Sequence, residues 1–325
     1  MNRRIPGVLA LIFGMVVAAG AASSPPLQEI ERQFNAGRYA DAMRALESAI
    51  SQSPRDARLH FWMARNAYEA MQFDLAVSAA ERACQLEPAN SEYHLWLARS
   101  LGRKAERDSS FFEARRFRHE LEEAVRLAPS SIHARRDLAE FYASSPWIVG
   151  GSKSKARQQV EAIARMDAAE GIAAWADYYR SVHEREEAAR QYPLLLNQKA
   201  SSAMPYLEAL EFFEGRRDTA KMELFLEQAA RLAPADPRVA YYRSAVRILS
   251  GKELSEAEKD LKDYVANVPN RSDMPTHADA QEHLAQLYEK LGDAKRAEEQ
   301  YRAVLALEPG RRSAVDGLNR VKRKA

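Results

Sequence analysis

The stretch Phe61-Trp62-Met63-Ala64-Arg65 returns 34 residues later as Leu95-Trp96-Leu97-Ala98-Arg99. Pro54 and Pro88 are separated by the same 34 residues. Proline ends a helix because it cannot donate the next backbone hydrogen bond, so each proline marks the end of one unit. A fixed period of this length predicts a chain built from stacked supersecondary units.

Thirty-four residues is the tetratricopeptide-repeat (TPR) period, and the chain resembles that family. The family places a small residue where the two helices of a hairpin cross, because close packing needs short side chains there. That position is filled by Ala64, Ala98, Ala139 and Ala285. An aromatic residue three positions later is supplied by Tyr142 and Tyr288. The turn and the start of the second helix are matched by Gly37-Arg38-Tyr39 with Ala42, and by Gly292 with Ala297. The closing prolines are Pro54, Pro88, Pro129, Pro234, Pro269 and Pro309.

The resemblance implies an all-α, right-handed TPR superhelix of about eight helix hairpins. We expect the array to cover residues 23–310, with insertions near 103–112, 144–152 and 270–277. Residues 311–325 are rich in basic side chains and predict a solvated capping helix, which the end of a solenoid needs. The expected repeats are Leu27–Ser53, Asp56–Glu87, Ser91–Ala128, Ile132–Asp167, Ile172–Asn197, Ser202–Ala233, Pro237–Val268 and Ala278–Glu308.

Residues 1–22 have the layout of a secretory signal peptide. Arg3 and Arg4 form a basic head, Val8–Ala22 carries no charge, and Ala19 and Ala21 suit an A-x-A cleavage. We therefore predict export, with the periplasm as the destination. The alternative is that residues 5–22 are retained as a membrane anchor, although the apolar run is shorter than the roughly twenty residues of a spanning helix.

The charge of the chain gives no support to nucleic-acid binding. Lysine and arginine number 48 against 46 acidic residues, and the two signs alternate along the chain. Residues 103–118 interleave basic side chains with phenylalanines, a pattern that can bind nucleic acid. Acidic residues interrupt that run, so an amphipathic helix pair is the preferred interpretation.

The resemblance also implies where a partner binds, because the first helix of each TPR repeat lines the concave side. An arginine-rich groove suggests a peptide with acidic side chains or a free C-terminus, since arginine binds carboxylates in a fork. The alternative is that Arg65 and Arg99 form salt bridges between repeats. Trp62 and Trp96 are interpreted as core residues, or as anchors at the groove. The predicted contact residues are Arg58, Phe61, Arg65, Tyr68, Leu95, Arg99, Arg103 and Arg136.

The segment Ser144–Ser154 is the most unusual turn. Its Gly-Ser-Lys-Ser end lacks the spacing of a phosphate-binding loop, so no nucleotide site is predicted. The apolar Trp147-Ile148-Val149 within it either folds back onto its own hairpin or contacts a partner or membrane.

No catalytic or metal-binding motif is apparent, and we predict neither an enzyme nor a cofactor site. Cys84 is the only cysteine and lies in an apolar helical pattern that predicts burial. His277, Asp279 and His283 are spaced so that they point to different faces of a helix. The sequence thus favours a module that binds a peptide or protein. The alternatives are a membrane-tethered scaffold and a regulatory subunit of an envelope enzyme.

Overall fold

The computed structural model describes residues 25–324, and this range contains seventeen α-helices, two short 3₁₀ helices and no strand. The predicted signal segment, residues 1–22, lies outside the described residues. Within the described range, no helix combines the length and the hydrophobicity needed to cross a bilayer. The helices are α1 Pro25–Asn35, α2 Tyr39–Gln52, α3 Ala57–Glu69, α4 Phe73–Leu86, α5 Ser91–Asp108, α6 Phe111–Leu127, α7 Ile132–Ser144, α8 Lys153–Met166, α9 Ala168–Ser181, α10 Arg185–Gln191, α11 Met204–Gly215, α12 Thr219–Leu232, α13 Pro237–Ser250, α14 Leu254–Asn267, α15 His277–Leu291, α16 Ala294–Leu307 and α17 Arg312–Lys324.

Consecutive helices pair into eight hairpins, α1 with α2 through α15 with α16, and α17 packs on the last pair. The all-α solenoid predicted from the repeat is confirmed. The fifth hairpin is irregular: α10 is short and passes into a 3₁₀ helix, Tyr192–Asn197, that contains Pro193. The third hairpin accommodates its extra residues by lengthening both helices, since α5 has 18 residues and α6 has 17.

Side-chain caps set where several first helices begin. The Asp56 carboxylate accepts the backbone N–H of Arg58, and the Asn90 side chain accepts that of Glu92. Such caps satisfy amide groups that have no partner within the helix. A third cap, at Asp236, has the same geometry as Asp56, since its carboxylate accepts the backbone N–H of Arg238. The start of these first helices is therefore fixed by local chemistry.

In four of the hairpins, an alanine lies where the two helices cross. Ala64, Ala98 and Ala285 are fully buried and Ala139 nearly so, as the family pattern requires. Larger side chains from the neighbouring helices, such as Leu121 beside Ala98, close around the contact. Protein interiors are packed so densely that adding one methylene group to a core side chain changes the stability of the fold.

We predict that Ala98→Leu lowers the free energy of unfolding by about 1–3 kcal/mol, because the added carbons overpack the crossing of α5 and α6. Chemical denaturation followed by circular dichroism measures this. Ala40→Leu is the matched control, since Ala40 is an exposed residue of α2. An equal effect at both positions would show that crowding at the crossing is not the cause.

The linker between α14 and α15, residues 268–276, reaches back to the start of the chain, and we call it the clasp. Ser272 donates its backbone N–H and its Oγ–H to the Glu69 carboxylate at 3.0 and 2.9 Å. The Tyr39 hydroxyl donates to the Asn270 carbonyl at 3.4 Å. Pro269 packs so closely on Gly37 that a Cβ there would stand 2.7 Å from the proline Cβ. The clasp therefore joins the last repeats to the first two.

Removing the Glu69 carboxylate, which accepts the hydrogen bonds of Ser272, should release the clasp. In Glu69→Ala we expect the Ser272 amide to lose its protection against hydrogen–deuterium exchange, because its acceptor is gone. Mass-spectrometric exchange over residues 268–276 makes the measurement. Glu47→Ala, an exposed glutamate of α2, is the control. Unaltered exchange of Ser272 in Glu69→Ala would mean that the clasp is held by other contacts.

Candidate partner-binding groove

Three adjoining cavities of about 810, 240 and 460 Å³ follow one another along the concave side. The 240 Å³ cavity is lined only by the first helices α7, α9 and α11, and the 460 Å³ cavity by α11, α13, α15 and the clasp. Glu140 is shared by the first two cavities and Glu208 by the last two. The cavities therefore form one continuous track along the first helices, which we call the groove.

Arg65 lies in a box of aromatic rings. Its guanidinium carbon is 4.7 Å from the ring centre of Phe34, 4.6 Å from Trp62 and 4.9 Å from Trp96. Among the described residues, no carboxylate lies within 4.0 Å of it, and its Nε has no hydrogen-bond acceptor. Burial lowers the pKa of this guanidinium, which nevertheless stays protonated at neutral pH. Stacking on rings replaces ion pairing at this position.

The other predicted arginines are neutralised by carboxylates. Arg58 pairs with Asp56 at 2.7 Å and Arg103 with Glu106 at 2.9 Å, each within its own helix region. Arg99 pairs with Asp137 of the next repeat at 2.7 Å, as in the alternative interpretation of salt bridges between repeats. The prediction of an acidic ligand needed free guanidinium groups, and these pairs occupy them.

Arg136 is the centre of an ion cluster from three repeats. Its Nη2 lies 2.6 Å from Glu208 and also contacts Asp177, while Nη1 lies 3.4 Å from Glu170. One positive charge thus faces three carboxylates. With all three carboxylates ionised, the net charge of the cluster is negative. The Arg136 side chain at its centre is largely buried.

The aromatic and aliphatic members of the predicted set divide between groove and core. Tyr68 lines the largest cavity, as predicted. Leu95 does not reach the groove: it is 2% exposed and packs in the core with Leu121. In α5 the cavity is lined by Trp96, next to Leu95, and by Arg99 and Arg103 of the predicted set. Phe61 is half-buried and stacks on Tyr93 rather than standing free.

The middle and far parts of the groove are strongly acidic, which the sequence analysis missed. Nine carboxylates line these two cavities. The basic side chains that pair with them in the described residues are fewer: His283, Arg99, Arg136, Arg180, Arg271 and Arg311. Because most of these acids come from different repeats, only a map of first-helix positions along the whole chain would have revealed them. The nine are Asp137, Glu140, Glu170, Asp177, Glu208, Glu211, Glu214, Asp273 and Asp279.

Crowding of these acids changes their protonation. Burial raises the pKa of Glu208 to about 7, with repulsion from Asp177 adding to the rise and Arg136 opposing it. The pKa values of Glu140 and Glu211 are also raised, chiefly by burial. Carboxyl groups that share a small volume resist ionising together. The groove therefore gains negative charge as the pH rises through neutrality.

The cysteine and histidines considered as candidate reactive or metal-binding residues are buried or bonded to other groups of the protein. Cys84 is buried, and burial raises the pKa of its thiol to about 12, so it is not a reactive thiolate. His277 contacts the carbonyl of Val268, whereas His283 contacts Glu214 and Asp279 pairs with Arg311. In the described part of the chain no group of three or more His, Cys, Asp or Glu side chains could hold a metal ion.

Comparison with known proteins agrees with the repeat. Two family models described as tetratricopeptide repeat match residues 33–99 and 278–311. A search of curated protein sequences found no match.

Solved structures resemble the chain at the level of the fold. The Cut9–Hcn1 hetero-tetramer of APC/C aligns with a TM-score of 0.52 and 15% identity, covering 86% of this chain and 52% of that one. The chain thus spans about half the length of that relative. A monomeric mutant of IFIT1 bound to m7Gppp-AAAA aligns with a TM-score of 0.51 and 15% identity, over 91% of this chain and 70% of that one. A tetratricopeptide repeat protein from Parabacteroides merdae gives 0.44 and 13%, over 82% and 98%.

Repeat proteins of this kind are typically non-catalytic scaffolds for protein–protein interaction. Hairpin architecture, repeat spacing and the two family models lead to the same assignment. The chain belongs to the tetratricopeptide-repeat family.

Proposed function

We propose that the chain is an interaction module whose groove binds an extended polypeptide segment bearing lysine or arginine side chains. The observation that carries the proposal is that nine carboxylates line the middle and far cavities, whereas the basic groups paired with them in the described residues are five arginines and His283. A cleft lined by one sign of charge attracts the opposite sign and speeds association. The proposal assigns the groove a binding role and no reaction.

The shape of the groove favours an extended segment. The three cavities share residues end to end, so a ligand can follow the first helices across several repeats. A solenoid presents this kind of elongated concave surface because each repeat is rotated slightly from the last. The largest cavity adds Tyr68, Trp96 and Phe117 as apolar wall, which suits a hydrophobic side chain at one end of the segment.

The arginine pattern of the sequence predicts an acidic ligand. Of the predicted contact arginines, only Arg65 supports that prediction, because the others pair with carboxylates. The paired arginines would have to give up Asp137, Asp177 and Glu208 to receive a ligand carboxylate. Breaking such a pair leaves an uncompensated charge and is costly. A cationic segment instead meets carboxylates that outnumber their basic partners, and Glu140 among them has no basic side chain within 4.0 Å in the described part of the chain.

Export, predicted from residues 1–22, would place this interaction in the periplasm. A retained segment 5–22 would make the same module a membrane-tethered scaffold. Both settings use the same groove, so the choice between them does not alter the proposed chemistry of binding.

Charge reversal in the groove should abolish binding. From a random peptide library selected on the purified protein, we expect sequences enriched in Lys and Arg. Glu140→Lys/Glu211→Lys should weaken the best peptide about tenfold or more, because two attractive charges become repulsive. Fluorescence anisotropy of the labelled peptide measures the dissociation constant.

The matched control is Glu223→Lys/Glu227→Lys, which changes the net charge equally at exposed positions on the second helix α12. We expect its affinity to stay within about twofold of the unaltered protein, as for a remote surface charge screened by salt. An acidic peptide consensus, or equal losses in both double variants, would refute the proposal.

Binding of a cationic peptide should strengthen with pH through neutrality. Glu208, with its pKa raised to about 7, is protonated at pH 6 and ionised at pH 8. In the free protein, the stability that comes from this raised pKa is present below the usual carboxyl pKa and is lost as pH rises through 7. A bound cation favours the ionised form, so affinity rises over the same range.

Anisotropy titrations at pH 6, 7 and 8 test this. Glu208→Gln should flatten the pH profile, whereas Glu223→Gln on α12 should leave it unaltered. A profile that keeps its slope in Glu208→Gln would assign the titration to another group.

A further inference from the structure

A row of exposed apolar side chains runs along one edge of the solenoid, over repeats two to four. Met71 is 68% exposed, Phe111 62%, Phe112 69%, Trp147 84% and Ile148 48%. All five lie at or next to the turn between the first and second helices of their repeats. A folded protein seldom leaves adjoining large apolar side chains in water without a use for them.

These turns share an edge because α3 packs on α5, while α6 contacts both α7 and the short helix Trp147–Val149. Contacts join the three turns directly. Arg107, near the end of α5, pairs with Asp74 at the start of α4 at 2.9 Å. Arg115 of α6 donates to the Ile148 carbonyl at 3.2 Å. We call this border of repeats two to four the turn edge.

The Trp147 segment is held firmly in its outward position. Val149 is 3% exposed and anchors the turn in the core. Arg118 donates to the Val149 carbonyl at 3.3 Å, and the Ser152 N–H donates to the Tyr142 carbonyl at 2.7 Å. The interpretation that this loop folds back onto its hairpin is right for Val149 and wrong for Trp147. The fold thus keeps a large aromatic ring in solvent on a fixed support.

The double glycine after this turn has a steric cause. Gly150 has φ +106°, and a Cβ there would stand 1.9 Å from an Arg118 nitrogen. A Cβ on Gly151 would stand 1.8 Å from the Ser145 carbonyl oxygen. The close approach lets Arg118 hold the loop from beneath, which leaves Trp147 on top.

Four exposed cations lie near the N-terminal ends of α6 and α8, the helices that begin at these turns. Among the described residues, no carboxylate lies within 4.0 Å of Arg115, Lys153, Lys155 or Arg157. All four side chains are exposed. This contrasts with the groove, where Arg99 and Arg136 are neutralised. The turn edge therefore offers aromatic tips together with uncompensated positive charge.

We propose that the turn edge binds the surface of an anionic lipid bilayer, with Trp147, Ile148 and Phe112 inserted at the interface. Tryptophan prefers the headgroup level of a membrane, and apolar side chains beside lysine or arginine are typical of interfacial binding. Exposed cations are attracted to anionic lipids. Charge complementarity thus selects the occupant: three separate projecting tips suit a soft, negatively charged surface, whereas a protein partner would need a matching pocket for each tip.

The inference goes beyond the proposed function because Phe112, Trp147 and Ile148 line none of the three cavities of the groove. Phe111 lines the largest cavity, so the two surfaces adjoin at that residue. A test on vesicles without any peptide leaves the groove out of the measurement.

The test is flotation of the full chain with vesicles made of equal parts phosphatidylcholine and phosphatidylglycerol, and with phosphatidylcholine alone. We expect binding to the anionic vesicles that falls as salt rises. Phe112→Ser/Trp147→Ser should bind about tenfold more weakly. Leu224→Ser/Leu307→Ser removes two similarly exposed apolar side chains from α12 and α16 and should bind like the unaltered protein.

Insertion has its own signature in brominated lipids, which quench a buried tryptophan. The difference in tryptophan fluorescence quenching between the unaltered protein and Trp147→Phe reports on Trp147 itself. Any contribution of residues 1–24 to binding is the same in both proteins. Loss of that quenching component in Trp147→Phe supports the proposal. Equal quenching in Trp147→Phe, or no preference for anionic vesicles at low salt, would overturn it and leave the turn edge as a surface for a protein.

Discussion

Each hairpin of this chain can bury its apolar stripe only against the hairpins beside it, and alanine at the crossings of four hairpins makes that contact close. Ala64, Ala98 and Ala285 are fully buried for this reason. Stability is then distributed between neighbours along the array rather than gathered in one centre. The first helices align on the concave side as a consequence, and their polar residues meet across repeats to form the groove.

Much of the fold could be predicted because its causes are local and periodic. The recurrence of Trp62 and Trp96, the crossing alanines and the closing prolines specify the hairpins without long-range information. Even the irregular fifth hairpin was signalled by Pro193, which interrupts its second helix.

The site could be predicted only in part, because charge pairing acts between residues far apart in sequence. Arg136 meets Asp177 and Glu208 from two later repeats, and no local pattern announces that meeting. The placement of Leu95 failed for a smaller reason, since one step along a helix exchanges a groove position for a core position. The acidic character of the groove therefore needed the three-dimensional arrangement.

In an open solenoid the first repeat packs only against the second repeat. Here the clasp provides it with a second neighbour. Terminal repeats usually fray first because one of their faces has no stacking partner. Here Gly37 and Tyr39 contact residues 269 and 270, which belong to the linker before the eighth repeat. Opening the first repeat then requires breaking contacts with the linker between the seventh and eighth repeats as well. Local fluctuation of the first repeat is thereby coupled to that linker.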